Sequence, residues 1–386
     1  MNASSLPPIA LFDMKAQQAL NRAENDHRLA SVLDSGRFIN GPEVEELERK
    51  LAAFAGCAHA VGVSSGTDAL QIAMMGEEIG RGDAVFLPAF TYTATAEVPL
   101  VLGATPIFCD VDPITFNIDI EDLQARIALV EREGRLRPRA VIGVDLFGLP
   151  ADWPAIEAIC ARAKMFALDD AAQAYGAGLH GKRLGRWGHA TALSFYPTKT
   201  LGAYGDGGAL LTDDADRAEL WRSLRTHGEG KTRYEVSRTG MNGRLDTMQA
   251  AILLAKLTLL EAELAARTRI AALYNDGLGK VVQTPVTTSG ATPAWGLYSI
   301  LAADEAARAR LQSTCRELGV PSGVYYPKPL HRQPAYADAH AGSIAGGPPP
   351  LPVSEMLCGR ILSLPIHPYL SDAEITRVIA AVTSAN

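Results

Sequence analysis

The chain has 386 residues, with 36 Lys and Arg against 43 Asp and Glu and a formal net charge of −7. That length supports a large core and two domains, and an acidic balance without a basic cluster argues against nucleic acid as a partner. Five scattered cysteines without Cys-x-x-Cys spacing and eight histidines without ligand spacing predict reduced thiols, a cytoplasmic setting and no metal; no run is long enough to span a bilayer and no signal-peptide pattern opens the chain, so no membrane partner is expected.

Short apolar runs alternate with helical stretches, the pattern of an α/β architecture. The first chemical signal lies in residues 61–70, where Ser64, Ser65, Gly66, Thr67 and Asp68 form a Gly/Ser-rich turn opening a helix. Free backbone N–H groups and the positive end of the helix dipole make such a turn an anion cradle. Ordinary N-capping uses the same residue types, and neither a Walker loop nor a Gly-x-Gly-x-x-Gly fingerprint is present. Residues 84–87 read as a strand. Tyr92, within 88–95, reads as an aromatic residue ending a strand, placed either to stack on a planar ring or to pack in the core.

Strands at 106–109 and 141–144 follow, and the charged stretch 131–139 between them reads as a solvated helix end and turn. Residues 166–176 carry Asp169, Asp170, Ala171, Ala172 and Gln173 after an apolar run. This is a buried strand whose C-terminal end delivers a carboxylate into a crevice, the place where open α/β sheets bind ligands. A carboxylate facing a pyridine nitrogen keeps that ring protonated and makes it an electron sink. Capping of a following helix is the competing use of Asp169.

A further strand at 192–195 runs into Tyr196, Pro197, Thr198, Lys199, Thr200, Leu201 and Gly202, then Gly205, Asp206, Gly207 and Gly208. Lys199 has almost no charge around it in sequence. Desolvation favours its neutral amine, the form that builds a Schiff base. The glycines stand where a bulky cofactor would need the backbone close. Met248, Ile252, Ala255 and Leu259 share one face of a long helix that bridges to a smaller domain. Residues 341–350, rich in Gly and Pro, read as a flexible surface loop.

Phosphate cradle, stacking aromatic, pyridinium carboxylate and Schiff-base lysine, in that order, describe a pyridoxal 5′-phosphate enzyme. The chain also resembles, nearly end to end, the DegT/DnrJ/EryC1/StrS nucleotide-sugar aminotransferases. The resemblance runs through Ile39-Asn40-Gly41-Pro42-Glu43-Val44, Ser65-Gly66-Thr67-Asp68-Ala69-Leu70, Asp170-Ala171-Ala172-Gln173 and Lys199 with its glycines. It continues in Asn242-Gly243-Arg244-Leu245-Asp246, Tyr326-Pro327 and Ser363-Leu364-Pro365-Ile366-His367-Pro368. It implies the type I aspartate-aminotransferase fold: a large cofactor domain over residues 1–262, with a mostly parallel sheet flanked by helices, and a smaller C-terminal α/β domain over 263–386.

The same resemblance implies that Lys199 holds the cofactor and shuttles the substrate proton, while Asp170 pairs with the pyridinium and Gln173 lies near the phenolic oxygen. Gly66, Thr67 and Ser194 would bind the phosphate and Tyr92 would stack on the ring. Asn242 corresponds to a residue that reaches the phosphate from the neighbouring subunit, which makes a homodimer obligatory for catalysis.

Members with His at the lysine position run dehydration instead. Lys199 therefore implies transamination, with L-glutamate as amino donor and a nucleotide-linked keto-sugar as acceptor. Stretches around Tyr92, Arg244 and Tyr326 resemble the subgroup that aminates C3 of a UDP-linked 3-keto-N-acetylhexosamine or its C6 acid. Arg244, Tyr325 and Tyr326 are thus substrate-contact candidates, Arg244 because a guanidinium forks onto a carboxylate. Many such members have His where this chain has Tyr325, which leaves the C6 oxidation state open. A 4-keto-6-deoxy sugar substrate and a non-catalytic regulatory role on the same fold are the alternatives. The complete Lys199, Asp170 and Gln173 set weighs against the second.

Overall fold

Apolar runs buried on both sides set the frame of the molecule. In the computed structural model, which describes residues 8–232, 234–336, 339 and 350–385, the strands in chain order are β1 (His59–Val63), β2 (Asp83–Pro88), β3 (Thr105–Cys109), β4 (Arg137–Val144), β5 (Phe166–Asp170), β6 (Gly178–Leu179), β7 (Lys182–Arg183), β8 (Ala190–Ser194), β9 (Gly208–Thr212), β10 (Ala291–Thr292), β11 (Tyr298–Leu301) and β12 (Ile361–Leu364). Seven of them make one sheet in the order β1-β9-β8-β5-β4-β2-β3. The block from β8 to β3 is parallel throughout, and β9 runs antiparallel to both its neighbours.

Strands of such a sheet need apolar side chains on both faces. In β2, Ala84 and Phe86 enter one core cluster with Trp153 and Leu253, while Val85 and Leu87 enter another with Ile72 and Trp221. Strand alternation alone makes that assignment. Helices Trp153–Ala163 and Thr247–Leu257 thus cover one face, and Gly66–Gly76 and Ala215–Leu224 the other. The result is the mostly parallel, helix-flanked sheet that the sequence predicts, with the C-terminal ends of β4, β5 and β8 at one edge.

A third cluster gathers the C-terminal part of the chain. β11 pairs antiparallel with β12, and Leu311, Cys315, Ile375 and Val378 of helices Glu305–Glu317 and Asp372–Ser384 pack against it. Ile9 joins them from the other end of the chain: its N–H donates to the Gly319 carbonyl at 3.5 Å, and His367 Nε2 lies 3.2 Å from the Ala10 carbonyl. Helix Leu260–Leu278 gives Leu260 to the first cluster and Ile270 and Tyr274 to the third.

Several expectations need correction. The single long helix through 248–259 is two helices, Thr247–Leu257 and Leu260–Leu278. They part at Thr258, whose hydroxyl donates to the Ala255 carbonyl at 2.7 Å, the local competition with the helix ladder typical of Thr. The first of them is buried nearly all round, not on one face. Tyr92 does not end a strand, because β2 stops at Pro88 and Tyr92 lies in the turn before helix Ala94–Val101. The charged stretch 131–139 begins as a helix end at Glu133 but finishes inside β4, where Arg137 pairs with buried Asp83 at 2.8 Å. The Gly/Pro-rich segment 341–350 lies outside the described residues except for Pro350.

Candidate active site

β5 ends in two consecutive acids, and its pleat sends them to opposite sides. Asp170, 6% exposed, turns into a cavity of about 520 Å³. There Thr95 Oγ1 donates to its Oδ2 at 2.8 Å and the Ala172 N–H to its Oδ1 at 3.3 Å. Asp169 points into the layer behind the sheet and accepts from Trp187 Nε1 at 3.1 Å; no helix follows it, so it caps none. Burial pushes both carboxyl groups up from the ordinary range, Thr95 holding Asp170 back. A charged N–H donor brought to Asp170 would favour its ionised form.

Lys199 sits half-buried in the connection between β8 and β9 and lines the same cavity. Desolvation lowers its pKa from the ordinary lysine value, and the Asp170 charge opposes that shift. Its turn is closed by the Lys199 N–H on the Tyr196 carbonyl at 2.9 Å and the Ala203 N–H on the Phe195 carbonyl at 2.8 Å. The nearby glycines make room for the protein's own packing, and Gly207 also lines the cavity. A Cβ at Gly202 would come within 2.3 Å of the Pro197 carbonyl oxygen, one at Gly207 within 3.0 Å of Leu245, and one at Gly208 within 2.4 Å of the Ser65 carbonyl oxygen. They let the lysine turn fold on itself and let β9 press against the Ser65 loop.

That loop opens helix Gly66–Gly76. Ser65 Oγ accepts from the Asp68 N–H at 3.0 Å, a standard N-cap. The cap satisfies one N–H of the first turn, and the helix geometry leaves the preceding ones without an intrahelical acceptor. A Cβ at Gly66 would lie 2.8 Å from the Ser194 Cβ, so the end of β8 presses directly on the helix start. Ser65, Gly66, Thr67 and Ser194 line the cavity together. Capping and anion cradle are therefore two uses of one turn.

Aromatic rings form the outer wall. Tyr92 is 57% exposed, with its ring centroid 6.3 Å from that of Tyr326. Gln173 Nε2 donates to the Tyr326 hydroxyl at 3.0 Å, and Gln173 Oε1 accepts from the Phe147 N–H at 2.8 Å, so Gln173 ties the wall to the sheet edge. Burial raises the pKa of both Tyr325 and Tyr326, which keeps their phenols neutral.

Asn242 and Arg244 do not line this cavity. Asn242 is exposed and bridges Thr226 through its backbone; Arg244 bridges Val63 beside the end of β1. Sequence reading missed Phe12, which lines the cavity from the N-terminal segment, and Thr95, which orients Asp170. Thr95 stands inside a stretch already singled out. Phe12 has no signal beyond an apolar residue before the Asp13 helix cap.

The donor set suits pyridoxal phosphate: a buried acid for a ring N–H, a partly desolvated amine for an aldehyde, and a helix start for a phosphate. The model of the DegT/DnrJ/EryC1/StrS aminotransferase family matches residues 20–383. The chain is 41% identical over 377 residues to a UDP-2-acetamido-2-deoxy-3-oxo-D-glucuronate aminotransferase from Pseudomonas aeruginosa, covering 97% of this chain and 100% of that one. It is 40% identical to a dTDP-3-amino-3,4,6-trideoxy-alpha-D-glucose transaminase from Streptomyces venezuelae (97% and 96% covered). A UDP-N-acetyl-3-dehydro-alpha-D-glucosamine 3-aminotransferase from Acidithiobacillus ferrooxidans is 38% identical (97% and 97%). Among solved structures, a DegT DnrJ EryC1 StrS aminotransferase from Brucella abortus superposes with a TM-score of 0.93 at 46% identity, covering 97% of this chain and 99% of that one. A cavity with this donor set, on a fold and a sequence shared almost end to end, makes the chain a member of the DegT/DnrJ/EryC1/StrS family and a pyridoxal-phosphate-dependent aminotransferase.

Proposed function

We propose that the chain transfers an amino group from L-glutamate to C3 of a UDP-linked 2-acetamido-3-keto-hexose, neutral or acidic at C6. The observation that carries the reading is that buried Asp170 and half-buried Lys199 open into one cavity beside the start of helix Gly66–Gly76. When bound there, pyridoxal phosphate supplies the carbonyl that exchanges for an amine and the ring that stores the electron pair. Asp170 keeps the ring nitrogen protonated, and Thr95 holds that carboxylate in place. The neutral Lys199 amine would carry the proton between the substrate carbon and the cofactor's C4′, in one direction in each half-reaction. Gly66, Thr67 and Ser194 bind the phosphate, and Tyr92 stacks on the ring.

Gln173, through Tyr326, sets the wall against which the sugar lies, and Tyr325 offers it a neutral hydroxyl. The relatives support C3: the names of all three place the oxo or amino group there. Asn242, outside the cavity of its own chain, reaches the phosphate of a second subunit's site and Arg244 contacts the sugar, the working unit being a homodimer in the cytoplasm. The parts split at 262/263 into a cofactor domain and a smaller domain.

The test is the visible absorbance of the purified protein against a panel of UDP-amino sugars, which drive the half-reaction backwards. Loss of the band with 3-amino-N-acetylglucosamine compounds is the expected result, and comparing neutral and acidic ones fixes C6. A response to 4-amino sugars only would overturn the substrate; no band even with added pyridoxal phosphate would overturn the site.

A further inference from the structure

Lys256 is a second lysine near this site that the reaction does not use. It is 1% exposed, in the last turn of helix Thr247–Leu257, which is buried nearly all round. An ammonium so placed is costly unless it is well partnered. Its Nζ donates to the Gly202 carbonyl at 2.7 Å and stands 4.2 Å from the centroid of the Tyr204 ring. The Glu263 carboxylate acts on it, and burial still pushes its pKa down to about 8. Glu263 is itself engaged by Gln17 and Tyr369, so the ammonium's direct partners are a carbonyl and a π face.

Those two partners bracket the end of the turn that carries Lys199. Gly202 folds onto Pro197 too tightly to admit a side chain, so whatever fixes the Gly202 carbonyl fixes the turn 197–202. The same helix holds the next step of the loop through Gln249 Oε1, which accepts from the Tyr204 N–H at 2.9 Å. The Tyr204 hydroxyl in turn accepts from Asn25 Nδ2 at 3.1 Å. The loop is thus gripped at 202 and 204 by one rigid helix, and its other side is free to face the cavity.

We propose that Lys256 is a positioning residue: its bond to the Gly202 carbonyl and its contact with Tyr204 fix the turn that presents the Lys199 amine to the cofactor. The proposal rests on Lys199 being the cofactor-binding lysine. A slack turn widens the range of amine positions, and small displacements of a reacting group are expensive in rate.

The experiment adds pyridoxal phosphate to the apoprotein and follows capture by the growth of the visible band and the pH midpoint of that band. Wild type that forms no band would sink the Lys199 assignment, separately from the present proposal. Against a working wild type, Lys256→Met is expected to capture the cofactor about tenfold more slowly or to shift the band's midpoint. Lys256→Gln, which keeps a donor for Gly202, is expected to recover part of the loss. A change in rate or midpoint in a variant that stays folded supports the proposal. A folded variant with both unchanged, even with a lower melting temperature, overturns it. If Lys256→Met does not fold, Lys256→Gln decides by the same readings; if neither folds, Lys256 serves folding and the proposal fails.

Discussion

At the floor of the cavity Asp170 is buried, fixed by Thr95 and the Ala172 N–H, and backed by further buried acids; at the outer wall Tyr92 is mostly exposed and meets its neighbour only at ring distance. The floor is assembled from strand ends of one sheet, where pleat and register leave little choice of geometry. The wall is gathered from the N-terminal segment, the turn after β2 and the Tyr325–Tyr326 segment, and an expected sugar contact, Arg244, lies elsewhere on the same chain. The difference teaches that the floor is set by one sheet and its connections, while the wall depends on segments brought together from distant parts of the chain.

The sharpest way to break that contrast is at Lys199. Lys199→Ala should cut turnover at least about a thousandfold with the melting temperature of the apoprotein preserved; near-normal turnover would move the chemistry to another group. Asp170→Asn comes next. It should lose on the order of a hundredfold in rate, more than in cofactor affinity, and equal rates would place the ring nitrogen's partner elsewhere.

Asp145 tests how dry the floor is. Its N–H donates to the Asp170 carbonyl at 3.1 Å, and its Oδ1 accepts from Ala151 N–H and Trp153 Nε1, both at 2.8 Å. Burial raises its pKa to about 7. The folded state therefore keeps a proton that the unfolded state releases above the ordinary Asp range, and this group's contribution to stability falls as pH rises from about 4 to about 7. Asp145→Asn mimics the protonated acid. Its melting temperature should gain on wild type across that window and hold a constant lead above it, worth at most about 4 kcal/mol. A gap that does not widen with pH would mean that the acid is ionised in the folded protein.

The smallest effect is expected at the wall. Tyr92→Ala should weaken cofactor binding by the worth of one ring stack, about 1 kcal/mol or roughly fivefold, and leave the band's pH midpoint in place. A hundredfold loss would show that the wall is as tightly determined as the floor.

What could be read in the sequence follows the same division. Asp170 closes an apolar run and Lys199 follows shortly after one, and strand ends announce themselves through pattern. The glycines after Lys199 were legible as a motif, but their packing against Pro197, Leu245 and Ser65 was not. Phe12 and Asp145 carried no usable sign, because long-range packing alone brings one to the cavity and buries the other. The break at Thr258 hides inside a continuous apolar pattern. Asn242 and Arg244 were visible only through family resemblance, and no local chemistry in this chain would have singled them out.

The pinning of Ile9 and Ala10 against Gly319 and His367 has a consequence for biosynthesis. The Ala10–His367 contact joins residues 357 positions apart, so it cannot form until His367 has left the ribosome. The sheet can assemble while translation proceeds, but the segment around Ile9 must wait for the later-made C-terminal core before it can dock. A fusion partner that keeps that leading segment from docking would yield a protein with an intact sheet and an unfinished last core.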